Sequence, residues 1–583
     1  MIHIKSNKQQ ELFDPWRYLS PKRRQMLEND WPGLFREHLL DELPVNKLAN
    51  CFAEGMGRPT KELHTVLGAL LLQQTMDLTD PATIEQLCFN IQWHYALNIP
   101  EESDDAKYIS EKTLYTMRQL MIEEHLDDVM FDAIGQKLAT VFNVETKKQR
   151  IDSVHIRSNM RRLGRIRIFA ETISKLLVNL KRHHQDLFDT VDQKILDRYW
   201  SKKAMASFSL VKPSESAKTL HQVSGDLFDL IEQFKDHQKV CAMHSYKLMQ
   251  RVLAEQCHMD PDGDGSKVAV KNPREISSDS LQNPSDPDAT YDSHKGQGYQ
   301  MQIMETFSQN EDPEKKQQTL NLITHVSVQT ACEHDANALM PAITDVQDRQ
   351  LSPEQVLADT LYGGDNNHQS AEVKNIELVS PVKKANTSDT ILLTGFTFNE
   401  KGYVTTCPAG NAPMQVKYKG KTDRFSAAFN QEACDACPLF DQCKLVSGKN
   451  KYFLRYNSKQ YRIAVRRAIQ QQESFVETYR WRAGIEATMS ELDRRTGIKQ
   501  LRVRGMPAVR FAATLKATGL NMLRASAVRK ARSKAARADS SIINLIDWTF
   551  TVVKEQIFQL LSSWGRFCLK YSQLSERELY MAA

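Results

Sequence analysis

The chain of 583 residues has no apolar run near the roughly 18 residues that a membrane-crossing helix needs. Its first residues, MIHIKSNKQQELFDPW, lack the apolar stretch of a secretory leader, so no membrane association and a cytoplasmic location are expected. With only 23 Gly and 20 Pro it cannot be a collagen-like or Pro/Gly low-complexity chain, and no internal repeat stands out. Ten Cys in a leaderless chain read as reduced thiols or metal ligands, not a disulfide framework. What is present is ordinary globular material, 41% hydrophobic and 26% charged, which excludes disorder. At roughly 150 residues per domain, the length corresponds to about four units.

Net charge is also small, +5, but it is unevenly placed. The window from Lys147 to Ile168 holds eight basic residues and one acid, Asp152, a local +7. The window from Lys499 to Ala538 holds eleven basic residues and no acid, leaving −13 for the rest of the chain. Such runs suit a polyanion held through phosphate contacts and counterion release. Each run taken alone reads first as a solvated helix face or a flexible basic linker; the pair of runs flanking candidate carboxylates points to nucleic acid.

Residues 47–142 read as helical. Asp80-Pro81 predicts an N-cap followed by Pro at the first helical position, opening a helix through Leu87 and Ile91. With the helix before it, carrying Leu67, Leu70 and Leu71, this forms a tight helical hairpin compatible with a helix-turn-helix DNA reader. Ile151–Ile156 predicts a strand. Ile173, Leu176, Leu177 and Leu180, and then Leu227, Leu230, Ile231 and Phe234, repeat at helical spacing and mark a helical block near 166–257. Residues 258–290 form a loop. Tyr299, Met301 and Ile303 alternate with Gln300 and Gln302 as a strand, and Leu322–Val328 give another. A helix over Glu333–Val346, a buried strand Val356–Ala358 ending on Asp359, and a fifth strand over Ile376–Val382 follow. The chain is helical again from Ser458 to Leu523. At the end Val553, Ile557, Leu560 and Leu561 mark an amphipathic helix expected to close against the core.

Strand-borne Asp152, strand-end Asp359 and a later helix-borne Glu486 are the parts of a two-metal phosphoryl-transfer site. In-line cleavage of a phosphodiester is served by two ions about 3.5–4 Å apart. Hard Mg²⁺ or Mn²⁺ prefers carboxylate oxygens. In the predicted helix ETYRWRAGIEATMSEL, Tyr479, Arg482 and Glu486 stand at offsets 0, 3 and 7 and so share one face. Arg482 and Tyr479 could hold a phosphate or the carboxylate's second oxygen. His155 and Arg157 flank Asp152; His294 and Lys295 read as a solvated loop or a DNA contact; Trp481 reads as a packing residue or a base-stacking one.

IDSVHIRSN around Asp152, VLADTLYGGDNN around Asp359, the Tyr479–Arg482–Glu486 helix and SDPDATYDSHKGQGYQ (Ser285–Gln300) together resemble the DDE transposases of bacterial insertion sequences. The resemblance is to the group with a Tyr-x2-Arg-x3-Glu-x6-Lys signature, and it runs in patches over about residues 40–525. It implies an RNase H-like core in which Asp152, Asp359 and Glu486 hold two divalent metals. It also implies cleavage at element ends, strand transfer of the 3′-hydroxyl into target DNA, and a homodimer in a nucleoid-associated DNA complex. Expected DNA contacts are Tyr479, Arg482, Arg494, Arg495, Arg157, Arg161, Arg162, Lys499, Arg502 and Arg504. The signature Lys would fall at position 493, where this chain has Asp493; Arg494 and Arg495 follow directly. An RNase H-like nuclease without joining and a non-catalytic DNA-binding relative are the alternatives.

The wide spacing of the acids predicts two insertions. The expected fold class is α/β, a mixed-sheet core with an N-terminal all-helical domain, one helical insertion and one Cys-containing insertion. The boundaries read as 1–142 for the helical domain, 143–165, 285–383 and 455–525 for the core, 166–284 and 384–454 for the insertions, and 526–583 for a basic linker and C-terminal helix. Within 384–454, Cys407, Cys434, Cys437 and Cys443 are either reduced thiols or the four ligands of one structural Zn²⁺.

Overall fold

The computed structural model describes residues 2–5, 14–53, 59–259, 268–384 and 391–579. Part of the expected 258–290 loop and the side chains of Ile557, Leu560 and Cys568 lie outside what it describes. The fold is mixed α/β with a helical N-terminal region. Among the described residues no helix is long and apolar enough to cross a membrane.

The strands that matter are β1 (Lys148–Arg157), β2 (Thr290–Asp292), β3 (Gly296–Thr306), β4 (Ile323–Thr330), β5 (Gln355–Leu357) and β6 (Glu377–Val379). They form one mixed sheet in the order β4-β3-β1-β5-β6, with β2 also against β3. β1 runs antiparallel to β3 from Gln149↔Thr306 to Arg157↔Gly298 and parallel to β5 over Lys148–Arg150. β3 and β4 are antiparallel, and β5 and β6 are parallel. The alternation of Tyr299, Met301 and Ile303 with Gln300 and Gln302 correctly marks a strand. Both sets are nonetheless buried, because helices or loops cover both faces of the sheet.

The principal helices are α1 (Leu63–Thr75), α2 (Asp80–Phe89), α3 (Glu111–Glu123), α4 (Leu126–Phe142), α5 (Arg165–His183), α6 (Ser216–Phe234), α7 (His244–Gln256), α8 (Leu339–Asp348), α9 (Asp365–Val373), α10 (Ser458–Gln470), α11 (Glu473–Tyr479), α12 (Gly484–Thr496) and α13 (Met506–Leu579). α8 carries the chain from β4 to β5, and α9 from β5 to β6. In α5 and α6 the two predicted apolar stripes are buried in a core of their own. The Cys-containing segment has a separate small core around stacked Phe425 and Tyr456, their centroids 4.9 Å apart.

Several local expectations differ from the structure, and the stretch 258–290, expected as a loop, contains a short strand, Val268–Val270, antiparallel to Cys257–Met259. The N-cap of α2 is Thr79, whose side chain accepts the Ala82 N–H. Asp80 instead accepts from Gln73 (2.8 Å) and Arg118 (2.5 Å), and the helix ends at Phe89 because Asn90 caps a new one at Ile91. The region after 525, expected as a linker, continues α13 without a break, and its many Ala, Arg and Lys are strong helix formers. Along it Val553 and Leu561 are 51% and 67% exposed, so these two do not close against the core.

α1 is buried almost throughout and packs against α13, and one apolar cluster joins Leu67 and Leu70 to Ile151 and Met304 of the sheet and to Phe511 and Leu515 of α13. The closest approach is at Gly519, where a Cβ would stand 2.0 Å from Thr75 Oγ1. Gly519→Ala is therefore expected to lower the thermal midpoint, although Ala gains about 1 kcal/mol of helix propensity over Gly. A midpoint equal to or above that of the wild type would show that α1 and α13 can part there at no cost.

Candidate functional site

β1 is central, and its side chains from Gln149 to Asp152 are buried on both faces, with Asp152 only 9% exposed. Its Oδ1 accepts the Ser153 N–H at 2.8 Å. Its Oδ2 accepts from Arg482 Nη2 at 2.5 Å, and Arg482 Nη1 reaches Glu486 Oε1 at 3.0 Å. One guanidinium thus bridges two of the three expected acids. Burial raises the pKa of Asp152 to about 6; Arg482 and the Ser153 amide oppose the rise, while Asp359 and Asp335 add to it.

Asp359 follows β5 at the mouth of a tight turn. Its Oδ1 accepts the Leu361 N–H at 2.8 Å, and its carbonyl accepts from Ser380 Oγ at 2.6 Å. Gly363 must be glycine, since a Cβ there would lie 2.4 Å from that hydroxyl oxygen. After the turn Asp365 is gripped by Arg462 (2.7 Å) and Arg466 (2.5 Å), which fasten α10 to α9 across the Cys-containing insertion.

The predicted continuous helix around Glu486 is broken. α11 ends at Tyr479, a 3₁₀ turn covers Arg480–Ala483, and α12 starts at Gly484. The cause lies in β1: Arg150 donates to the Trp481 carbonyl at 2.7 Å, and its Nη1 lies 2.1 Å from where a Gly484 Cβ would be. Tyr479, Arg482 and Glu486 therefore do not share one α-helical face, although Arg482 and Glu486 still meet. Tyr479 stacks on Phe475 at 5.6 Å and packs beside Phe307, Leu357 and Val379. Burial pushes its pKa up, with Asp359, Asp152 and Glu486 adding to the rise against Arg482. Trp481 lies in the same cluster.

Among the described residues no three His, Cys, Asp or Glu side chains stand close enough together to hold a metal ion. Burial lowers the Arg482 pKa, but Asp152, Tyr479, Asp359 and Glu486 together hold it above its usual value. Cys407, Cys434, Cys437 and Cys443 line one small cavity in the inserted module. The Cys434 thiol pKa is raised by burial first and then by the other three cysteines.

The expected DNA-contacting residues are divided. Arg157, Arg161, Arg162, Arg494 and Arg504 are exposed; Arg162 lies over the Tyr291 ring at 4.3 Å and Arg504 reaches the Met160 sulfur at 3.1 Å. Arg495 pairs with Glu491 at 2.9 Å, and Arg502 with Asp77 at 2.9 Å. Asp493 accepts the Lys499 N–H at 3.1 Å and faces its ammonium at 3.6 Å, so the residue at the signature Lys position closes the end of α12. Lys295 turns under the sheet towards Ser153, Gln300 and Asp335. Sequence reasoning passed over Glu305, Asp335 and Asp365. Each is an acid whose partners come from distant segments, and no local pattern marks such a residue.

Two family models match the chain: a transposase DDE domain over residues 406–525 and a transposase domain (DUF772) over residues 25–120. The first includes the four cysteines and Glu486 but neither Asp152 nor Asp359. No curated protein and no solved structure matches the chain.

The raised pKa of Asp152 has a sign that can be measured in metal-free protein. The folded state holds this proton up to about pH 6, while the unfolded chain releases it near 3.8. The contribution to stability is therefore complete below 3.8 and is lost as pH rises through about 6. Asp152→Asn, which stays neutral, should be more stable than the wild type at pH 8 by on the order of 2 kcal/mol. The gap should vanish below pH 4 in thermal melts; a gap independent of pH would contradict the assigned cause.

Proposed function

From the premise that this chain is an insertion-sequence DDE transposase, which its two transposase domains indicate, we propose that Asp152, Asp359 and Glu486 hold two Mg²⁺ or Mn²⁺ ions and that the protein cuts and joins DNA at element ends. DNA is the partner of such a protein, and DDE transposases generally use divalent metal ions. The observation that carries the reading is one guanidinium bridging Asp152 of β1 and Glu486 of α12, with Asp359 of the β5 turn near enough to act on it electrostatically. An RNase H-like core is supported by the mixed sheet, with Asp152 on its central strand and Asp359 just beyond the adjacent parallel one.

The oxygen chemistry of the three carboxylates suits hard cations, although they do not converge closely enough to hold one while Arg482 bridges Asp152 and Glu486. Ions bound there would supply charge neutralisation at the scissile phosphate and activation of the attacking hydroxyl. For them to enter, Arg482 must leave Asp152 and Glu486, and it is then free to grip a phosphate oxygen. Water attack on the phosphodiester frees a 3′-hydroxyl; that oxygen then displaces the 3′-oxygen of a target phosphodiester, so bonds balance without a protein adduct. Exposed Arg157, Arg161, Arg162, Arg494 and Arg504 border the path, and the 25–120 domain recognises the ends. Two ends must be held together, so the active complex is a homodimer in the cytoplasm.

The thiols of Cys407, Cys434, Cys437 and Cys443 have the chemistry for a structural Zn²⁺, which would have to draw them closer together than they stand. They share one cavity, and the repulsion that raises the Cys434 pKa would become attraction to a bound cation.

A strand-transfer assay with Mg²⁺ on DNA carrying the parent element's ends tests the main reading. Cleavage with joining is expected; cleavage alone would indicate a nuclease, and binding without cutting a non-catalytic relative. Asp152→Asn, Asp359→Asn and Glu486→Gln should each lower cleavage by more than about 10³-fold while end binding persists. Cleavage retained in any of them would remove that residue from the site. Metal analysis of the purified chain should find about one Zn²⁺ per molecule, lost together with the module's fold in Cys434→Ser; metal-free, fully folded protein would refute the zinc assignment.

A further inference from the structure

On the face of the sheet opposite the Asp152 side chain lies a buried polar network that the chemistry above does not use. Asp335, in the short turn before α8, is 7% exposed. Its Oδ1 accepts from Gln302 Nε2 at 2.9 Å and also from Gln300 Nε2, while Lys295 Nζ stands 3.7 Å from its Oδ2. Lys295 also donates to Gln300 Oε1 at 3.1 Å and to Ser153 Oγ at 3.3 Å, next in sequence to Asp152. Gln302 Oε1 accepts the Tyr362 hydroxyl at 2.5 Å, and Tyr362 is fully buried in the turn that begins at Asp359. A second link is independent of the first: Asn367 Nδ2 donates to the carbonyls of both Ala336 and Tyr362 at 2.9 Å.

A carboxylate sunk among amides with one cation at 3.7 Å gains little stability over apolar packing. What such a network supplies is geometry, because every member has a fixed partner. Its two ends are the strand that carries Asp152 and the turn that carries Asp359.

We propose that Asp335, fixed by Lys295, Gln300 and Gln302, is a positioning residue that holds the Asp359 turn in register with Asp152 through the Tyr362 hydroxyl. The proposal rests on the assignment of Asp152 and Asp359 as metal-holding carboxylates. Asp335 itself touches neither DNA nor metal. It acts as partners behind a metal ligand act, where substitution typically costs 10–100-fold in metal affinity or activity.

The test uses the full chain with Asp335→Asn and, as a milder change, Tyr362→Phe, which removes only a hydroxyl. Three quantities are read: the thermal midpoint, Mn²⁺ affinity by electron paramagnetic resonance without DNA, and kcat against KM for end cleavage. Both variants should melt close to the wild type, bind Mn²⁺ about 10-fold more weakly or worse, and lose kcat by about 10–100-fold with KM for end DNA within twofold. Hydrogen exchange at the Leu361–Gly363 amides should quicken in both, and Lys295→Arg should retain more Mn²⁺ affinity than Lys295→Met. Unchanged Mn²⁺ affinity in Tyr362→Phe overturns the proposal, as does a loss that merely follows a fallen melting point in both variants. A wild type that binds Mn²⁺ but does not cut DNA defeats the transposition reading while the Mn²⁺ and exchange results still decide the positioning role. A wild type that takes up no Mn²⁺ defeats both.

Discussion

The mixed-sheet part of the fold is assembled around one buried carboxylate, Glu305 of β3, which has no solvent exposure. It is held by Arg150 of β1 at 2.7 Å, Arg524 of α13 at 2.9 Å and Thr488 of α12 at 2.7 Å. Removing Glu305 would leave two guanidinium groups stranded in the interior, which is far costlier than the net gain from making the pairs. This single interaction ties the strand that carries Asp152, the helix that carries Glu486 and the helix that reaches into the N-terminal region. The same Arg150 extends to the Trp481 carbonyl, so the hub also sets the 3₁₀ turn on which Arg482 sits.

The charge distribution acquires a different meaning in this frame. The eleven bases between Lys499 and Ala538 suggested one long DNA-facing surface. Many of them pair with acids of the same molecule: Lys516 and Arg524 in the interior, on Asp77 and on Glu305 and Glu491, and Arg502, Arg510, Arg529 and Lys530 nearer the surface, on Asp77, Asp128, Glu37 and Asp30. The acids that answer them come largely from the N-terminal helices. Electrostatic complementarity between the two ends of the chain thus accounts for much of the run. The Lys147–Ile168 run keeps more of its charge outward, at Arg157, Arg161 and Arg162.

Much of the architecture was legible because it is periodic. Ile173, Leu176, Leu177 and Leu180 announce α5, and Tyr299, Met301 and Ile303 announce β3, since burial of one face imposes a repeat on the sequence. The break after Tyr479 was not legible. Nothing local in TYRWRAG forbids a helix, and the interruption is imposed by Arg150, more than three hundred positions earlier. Lys295 was read as a loop residue facing water or DNA, and it does stand exposed in a turn; what the sequence did not show is that its ammonium lies 3.7 Å from buried Asp335.

The sequence by itself determined the element types, the three acids in their order, the four clustered cysteines and the resemblance to transposases, because each is written in spacing or in motif. Only the tertiary structure decided which charges pair inside, where the Glu486 helix breaks and which residues brace the Asp359 turn. These depend on groups brought together from distant segments. In a desolvated interior, a charge is placed by whichever opposite charge the fold delivers to it.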